Sequence, residues 1–214
     1  MAEVKFCGLM RAEDARAATA LGAAYVGVIF ANGRRRLDAA RARVVFDGAM
    51  GTARRVGVFG AQSAAEIVQT AAAAGLHVVQ LHGASDPSLV DSVRRDFSGE
   101  VWRVVRVGPG VGDELLRGAD AGVDAVLVDA FVEGALGGTG TAIDWEHLAR
   151  LLDRVGRPRR LVLAGGLRAD NVATAIGLVA PDVVDVSSGV ESAVGIKDHA
   201  MMRVFAESAA RGGR

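Results

Sequence analysis

The sequence holds one cysteine, in the stretch "VKFCG" from Val4 to Gly8, where an apolar run gives way to a glycine. An ionised thiol can take up a proton or attack an electrophile. Free cysteine is also among the most buried residue types, so Cys7 by itself reads equally as core packing. Two aspartates stand at similar junctions: Asp129 near the close of "DAVLVDA", and Asp185 within "VVDVSS". A carboxyl and a thiol can run acid–base chemistry together if their surroundings push them in opposite directions. The carboxyl must keep its proton well above a reference pKa of about 3.9, and the thiol must be drawn from about 8.5 towards 7.

Two loops carry a second kind of chemistry. "LAGGLRADNV" and "DVSSGVES" each read as a strand, then small residues, then a helix. Backbone N–H groups at such a turn, with the partial positive charge of a helix N-terminus, hold an anion without any lysine. Gly165, Gly166 and Gly189 lack the Cβ atoms that would block close approach, and Ser187 and Ser188 add hydroxyl donors. One such loop could be no more than a tight turn; the two together point to a phosphate site. The only basic run, Arg34 to Arg36 in "ANGRRRLD", reads as a solvated loop or as an anion contact. His82 closes "HVVQLH", where it lines a site or packs behind one. His77, His147 and His199 read as surface or helix residues. No spacing of His, Cys, Asp and Glu suits a metal, so no metal is expected.

These residues need a scaffold that brings strand ends together. Strand-like runs are predicted at Val4–Cys7, Ala24–Phe30, Arg54–Gly60, His77–His82, Val101–Val107, Asp124–Ala130, Arg160–Gly165 and Val183–Ser188. Several are nearly continuous valine-rich runs, the pattern of strands buried on both faces. Between them lie stretches of helical character. "AEDARAATALGA" spaces Ala15, Ala18 and Leu21 by one turn, "SAAEIVQTAAAAG" stops on Gly75, and "DPSLVDSVRRDF" opens with an Asp86 cap before Pro87. Eight strands, each followed by a helix, over 214 residues make an α/β fold, a (β/α)₈ or TIM barrel, read as a single domain over residues 1–214. An open doubly wound sheet is the alternative, but the glycine fingerprint of that fold is absent after the first strand. In a barrel the active site lies at the C-terminal strand ends. Cys7, His82, Asp129, Gly165, Gly166, Asp185, Ser187 and Ser188 all fall there.

Composition narrows the function. Lysine plus arginine and aspartate plus glutamate number 25 each, so the basic excess of a nucleic-acid binder is missing, and aromatic residues are only 5%. No apolar run reaches membrane-spanning length and the N-terminus lacks the layout of a signal peptide. One cysteine makes no internal disulfide, which suits the cytoplasm. The expected partner is a phosphorylated small molecule, bound by a monomer or a homodimer.

The ordered set of motifs resembles the phosphoribosylanthranilate isomerases of tryptophan biosynthesis. The match runs through "KFCG", "VGVIF", "VGVF", "VQLHG", "LVDA", "GGTGTAIDW", "LAGGL", "DVSSGVE" and "KDH" at Lys197–His199. The resemblance implies a cofactor-free Amadori rearrangement of N-(5-phosphoribosyl)anthranilate to 1-(o-carboxyphenylamino)-1-deoxyribulose 5-phosphate. It implies Cys7 as base, Asp129 as acid, an arginine of the second loop near the substrate carboxylate, and Asp185 near the sugar hydroxyls. Spacing favours Arg35 for that arginine, with Leu37 as the hydrophobe after it and Arg36 as the fallback. Three departures bear on loop geometry and affinity. Gly33 stands in a usual serine position, Thr141 follows "GGTG" where lysine is common, and "VFGAQS" lacks an asparagine often found there. Two rival readings remain: a barrel that binds a phosphorylated ligand without turnover, and the sister or dual-specificity sugar isomerase of histidine biosynthesis. The latter is expected to carry aspartate where this chain has Cys7.

Overall fold

The structure, a computed structural model, describes residues 1–83, 87–108, 116–130 and 144–213. Eight parallel strands close into a barrel in sequence order: β1 (Glu3–Phe6), β2 (Tyr25–Ile29), β3 (Arg54–Phe59), β4 (Val78–Leu81), β5 (Glu100–Val107), β6 (Ala125–Ala130), β7 (Leu161–Leu163) and β8 (Val183–Val186). β8 pairs back onto β1 with Lys5 opposite Asp185 and Phe6 opposite Val186, which closes the ring. The described helices are α1 (Ala12–Ala20), α2 (Ala39–Asp47), α3 (Ala64–Ala74), α4 (Pro87–Asp96), α5 (Trp145–Val155), α6 (Val172–Val179) and α7 (His199–Gly212). Among the described residues no helix is long and apolar enough to cross a membrane.

Every predicted strand is present, most of them trimmed by one or two residues. The trimming puts Cys7, His82, Gly165 and Ser187 just beyond their strands, on the loops of the C-terminal rim. Helix signals behave as local chemistry requires. Ser63 and Glu66 form a reciprocal capping box at the start of α3, and Gly75 ends it in the left-handed region at φ 65°. Pro87 opens α4 at the first position, where its missing N–H costs nothing. The Asp86 cap, most of "GGTGTAIDW" with Thr141, and residues 109–115 after β5 lie outside the described residues.

Strand parity divides the core in two. Outward residues such as Phe6, Val26, Val79, Val126 and Val184 pack with the helices in one cluster. Inward residues Tyr25, Val56, Val78, Trp102, Ala125, Leu127, Val162 and Val183 form another inside the barrel. At its floor the Tyr25 and Trp102 rings meet edge to face, centroids 4.8 Å apart, and Trp102 Nε1 donates to Glu100 at 2.8 Å. Trp102 is fully buried, so truncation to alanine should cost about 3–5 kcal/mol. Above this plug the inward positions turn polar.

The segment after β8 departs from the expected strand–turn–helix. A 3₁₀ turn (Ser188–Val190) leads into a small antiparallel hairpin of β9 (Glu191–Ala193) and β10 (Ile196–Lys197), reversed at Gly195 with φ 79°. Only then does α7 begin, capped by Asp198.

Candidate active site

At the end of β1 the Cys7 N–H donates to the Val186 carbonyl at 2.9 Å, and Gly8 then bends the chain with φ 69°. A Cβ on Gly8 would lie 2.8 Å from Ser187 Oγ and 2.9 Å from Arg35 Cδ, so two other loops depend on that bare backbone. Cys7 is 6% exposed and opens onto a cavity of ≈ 370 Å³ at the C-terminal rim. The cavity is also lined by Arg35, His82, Asp129, Gly165, Gly166, Asp185, Ser187, Ser188 and Gly189. Ten sequence-predicted residues from six strand ends thus share one space.

Asp129 stands on the wall formed by β6. Burial pushes its carboxyl up to about 6, against a hydrogen bond from the Ala130 N–H at 2.9 Å, and the Asp185 charge adds to the rise. His82 Nε2 is 4.0 Å from Asp129 Oδ2. The thiol behaves differently from the expected downward shift. Burial raises Cys7 above its ordinary value, and the lowering pull of Lys5 and Lys197 does not offset that burial and the Asp185 charge. Burial thus disfavours the charged form of both groups.

The phosphate-type loops touch each other. A Cβ on Gly189 would fall 2.0 Å from the Leu167 carbonyl oxygen of the β7 loop, so only glycine permits that approach. Gly165 and Gly166 both adopt positive φ, 86° and 65°, and a Cβ at Gly165 would press on the Ala130 backbone nitrogen at 2.8 Å. The helices stand further off than the sequence suggests. Asn171 Oδ1 accepts from the Arg168 N–H at 2.7 Å in a turn that precedes α6, and after β8 the 3₁₀ turn takes the helix's place.

The three arginines separate. Arg36 donates to Asn32 Oδ1 at 3.0 Å and does not line the cavity, whereas Arg34 and Arg35 do. Arg35 Nε and Nη2 grip Glu191 at 2.8 and 2.6 Å, a bidentate pair. Glu191 also accepts from Lys197 Nζ at 2.9 Å, and Lys197 reaches the Ser187 carbonyl at 2.9 Å. Burial works against the Glu191 charge, but these two cations hold its carboxyl below the usual range. No cluster of His, Cys, Asp and Glu suited to a metal occurs among the described residues.

A family model described as N-(5'-phosphoribosyl)anthranilate (PRA) isomerase matches residues 4–208. The chain belongs to the phosphoribosylanthranilate isomerase family. A member from Acidithiobacillus ferrooxidans is 42% identical over 208 residues, 96% of each chain. A crystal structure of the Thermotoga maritima isomerase superposes with a TM-score of 0.88 at 32% identity, covering 98% of this chain and 99% of that one. Another isomerase structure, in complex with reduced 1-(o-carboxyphenylamino)-1-deoxyribulose 5-phosphate, gives a TM-score of 0.85 at 32% identity over 98% and 99% of the two chains.

In this family member the site holds polar groups that sequence reading passed over. Lys5 is fully buried and donates to Asp185 Oδ2 at 2.7 Å and to Gln80 Oε1 at 2.9 Å. Burial opposes its charge, yet Asp185 and Cys7 together raise its pKa. Parity was the available signal: Lys5 and Cys7 lie two apart across the end of β1, as Gln80 and His82 do across the end of β4, so each pair faces the same side. Glu191 and Lys197 stand inside quoted motifs and pair with each other, but the further partner of Glu191 is Arg35, 156 residues away.

Proposed function

We propose that this chain isomerises N-(5'-phosphoribosyl)anthranilate to 1-(o-carboxyphenylamino)-1-deoxyribulose 5-phosphate, the Amadori step of tryptophan biosynthesis. The observation that carries this is the shared cavity, with a thiol and a high-pKa carboxyl on its walls, two bare-backbone loops at one side and arginines at another. The substrate is an anion at both ends. Its phosphate takes the loops at Gly165, Gly166 and Ser187–Gly189, and its carboxylate takes the arginine side. Arg35 is the candidate there by the spacing of its loop, and binding must then share or displace Glu191. Asp185 Oδ1 is buried with no hydrogen-bond partner, which a sugar hydroxyl would satisfy.

In the first step Asp129 gives its proton to the furanose ring oxygen. The C1–O bond breaks, and the nitrogen lone pair forms the C=N bond of a Schiff base. Cys7, as thiolate, then takes the C2 proton, and the released pair forms C1=C2 while neutralising the nitrogen. Loss of the C2 hydroxyl proton and gain of one at C1 gives the ketone. Every electron pair comes from the substrate, so the reaction needs no cofactor. A carboxyl near 6 keeps a usable protonated fraction at neutral pH, which an ordinary aspartate does not. His82 borders the acid and lines the substrate space.

The same reading takes residues 1–214 as a single barrel domain in the cytoplasm, acting as a monomer or homodimer. Complementation tests it: the chain should restore growth to a tryptophan auxotroph lacking this step and leave a histidine auxotroph unrescued. In single-turnover kinetics with substrate deuterated at C2, Cys7→Ser should lose the carbon deprotonation step. Near-normal chemistry in that folded variant would return Cys7 to core packing.

A further inference from the structure

Lysine is almost never fully buried unless paired, and Lys5 is 0% exposed beneath the cavity. Asp185 and Gln80 use two of the three bonds its ammonium can donate. The side chain runs alongside Cys7: a Cβ built on Gly27 would lie 3.1 Å from the Cys7 Sγ and 3.4 Å from the Lys5 Cε. Both anionic ends of the proposed substrate have their own recognition groups on the rim, so neither calls for a cation at this depth.

Charged groups from several elements surround the thiol. Lys5 comes from its own strand, Lys197 from β10, and Arg35 from the loop after β2; Asp185 from β8 and Glu191 from β9 oppose them. Asp129 and His82 face them from other walls of the same cavity. Glu191 serves both Arg35 and Lys197, while Asp185 serves Lys5. Asp129, in the cavity, makes a third acidic group, and of the cations Lys5 exerts the largest lowering pull on the thiol.

We propose that Lys5 is the positioning residue of the base: its ammonium, clamped by Asp185 and Gln80, stabilises the Cys7 thiolate under the carbon that gives up its proton. The inference rests on the assignment of Cys7 as base. It deepens that assignment by stating what makes a buried thiol ionisable. Lys5 keeps its own proton throughout. The thiol proton leaves to solvent before substrate closes the cavity, and the C2 proton replaces it on sulfur.

The single cysteine makes the test clean, because any alkylation reports Cys7 alone. The rate of modification by iodoacetamide is measured against pH in the folded, substrate-free protein. Removing a facing cation should move the thiolate midpoint of Lys5→Met upward by about one pH unit or more, about tenfold slower alkylation at pH 7. Where Lys5→Met fails to fold by circular dichroism, Lys5→Gln keeps a donor to Asp185 and should show the same upward movement. Asp185→Asn, which removes a carboxylate that repels the thiolate, should move the midpoint down. Turnover in the Lys5 variants should fall in kcat with little change in KM. Alkylation curves that overlay the wild type in either folded Lys5 variant would overturn the proposal, even with Cys7→Ser inactive. Turnover surviving in Cys7→Ser would instead overturn the base assignment, and this inference with it.

Discussion

Replacing Asp129 by asparagine should make the protein more stable at neutral pH while it slows ring opening. The magnitude follows from the carboxyl's environment. Its pKa lies at about 6 in the folded chain against 3.8 for a free side chain, with burial the leading cause. A folded-state pKa above the unfolded one means the native protein binds the proton more tightly, so stability falls as pH rises from about 4 through about 6. Above that window the ionised carboxylate costs the fold about 3 kcal/mol, at about 1.36 kcal/mol for each pH unit of difference. Asparagine has nothing to ionise, and its side-chain oxygen can still accept the Ala130 N–H now bonded at 2.9 Å. Asp129→Asn should therefore gain up to about 3 kcal/mol at pH 7.5, about 6–12 °C in Tm for a chain of this size, and converge on the wild type below about pH 4. Urea unfolding of both proteins at a series of pH values measures this directly. Parallel stability curves across the window would show that burial is not what raises the carboxyl, and would remove the physical basis for Asp129 as acid. Single-turnover ring opening in the same variant should slow by orders of magnitude.

The free enzyme's kcat/KM should fall below about pH 6 and run level above it until the thiol titrates, because the thiolate and carboxylic-acid fractions change in opposite senses between their two pKa values. A maximum centred near 6 would contradict the raised thiol. Gly189→Ala drives a Cβ onto the Leu167 carbonyl, so it should raise KM for the phosphorylated substrate and cost about 1–3 kcal/mol in denaturant unfolding. Unchanged values of both would separate the two loops from phosphate binding. Glu191→Gln loosens the Arg35 fork and should alter KM more than kcat, whereas Arg35→Lys should lose far more activity than Arg34→Lys because lysine cannot grip a carboxylate with two parallel bonds. If Arg34→Lys proves the more damaging change, Arg35 is a strut between loops and its neighbour meets the substrate.

Much of this molecule can be read from its letters, and the boundary is physical. Valine-rich runs closed by small or polar residues locate all eight strands, since burial on both faces leaves a strong one-dimensional trace. Gly75 and Ser63 mark the ends of α3 because capping is a local matter. Cys7, Asp129 and the glycine loops could be placed at one rim once the barrel was assumed. What stays hidden depends on distant partners. Lys5 meets Asp185 across 180 residues of sequence, and Arg35 finds Glu191 across 156. The hairpin after β8 is too short to carry a period. The direction of the thiol's shift is a sum of burial and the pulls of three charged neighbours, which no spacing encodes.

The Tyr25–Trp102 plug has a consequence for traffic. With the barrel floor packed shut, water, substrate and protons all use the same mouth. A ligand seated in that mouth is a stopper for the hydrogen beneath it. Once sulfur has lifted a hydrogen from C2, that atom is cut off from the solvent pool until the ligand leaves or hands it on. Isotope at that carbon is then a clock: label kept in the product records turnovers completed behind the stopper, and label lost records how often it was drawn before the end.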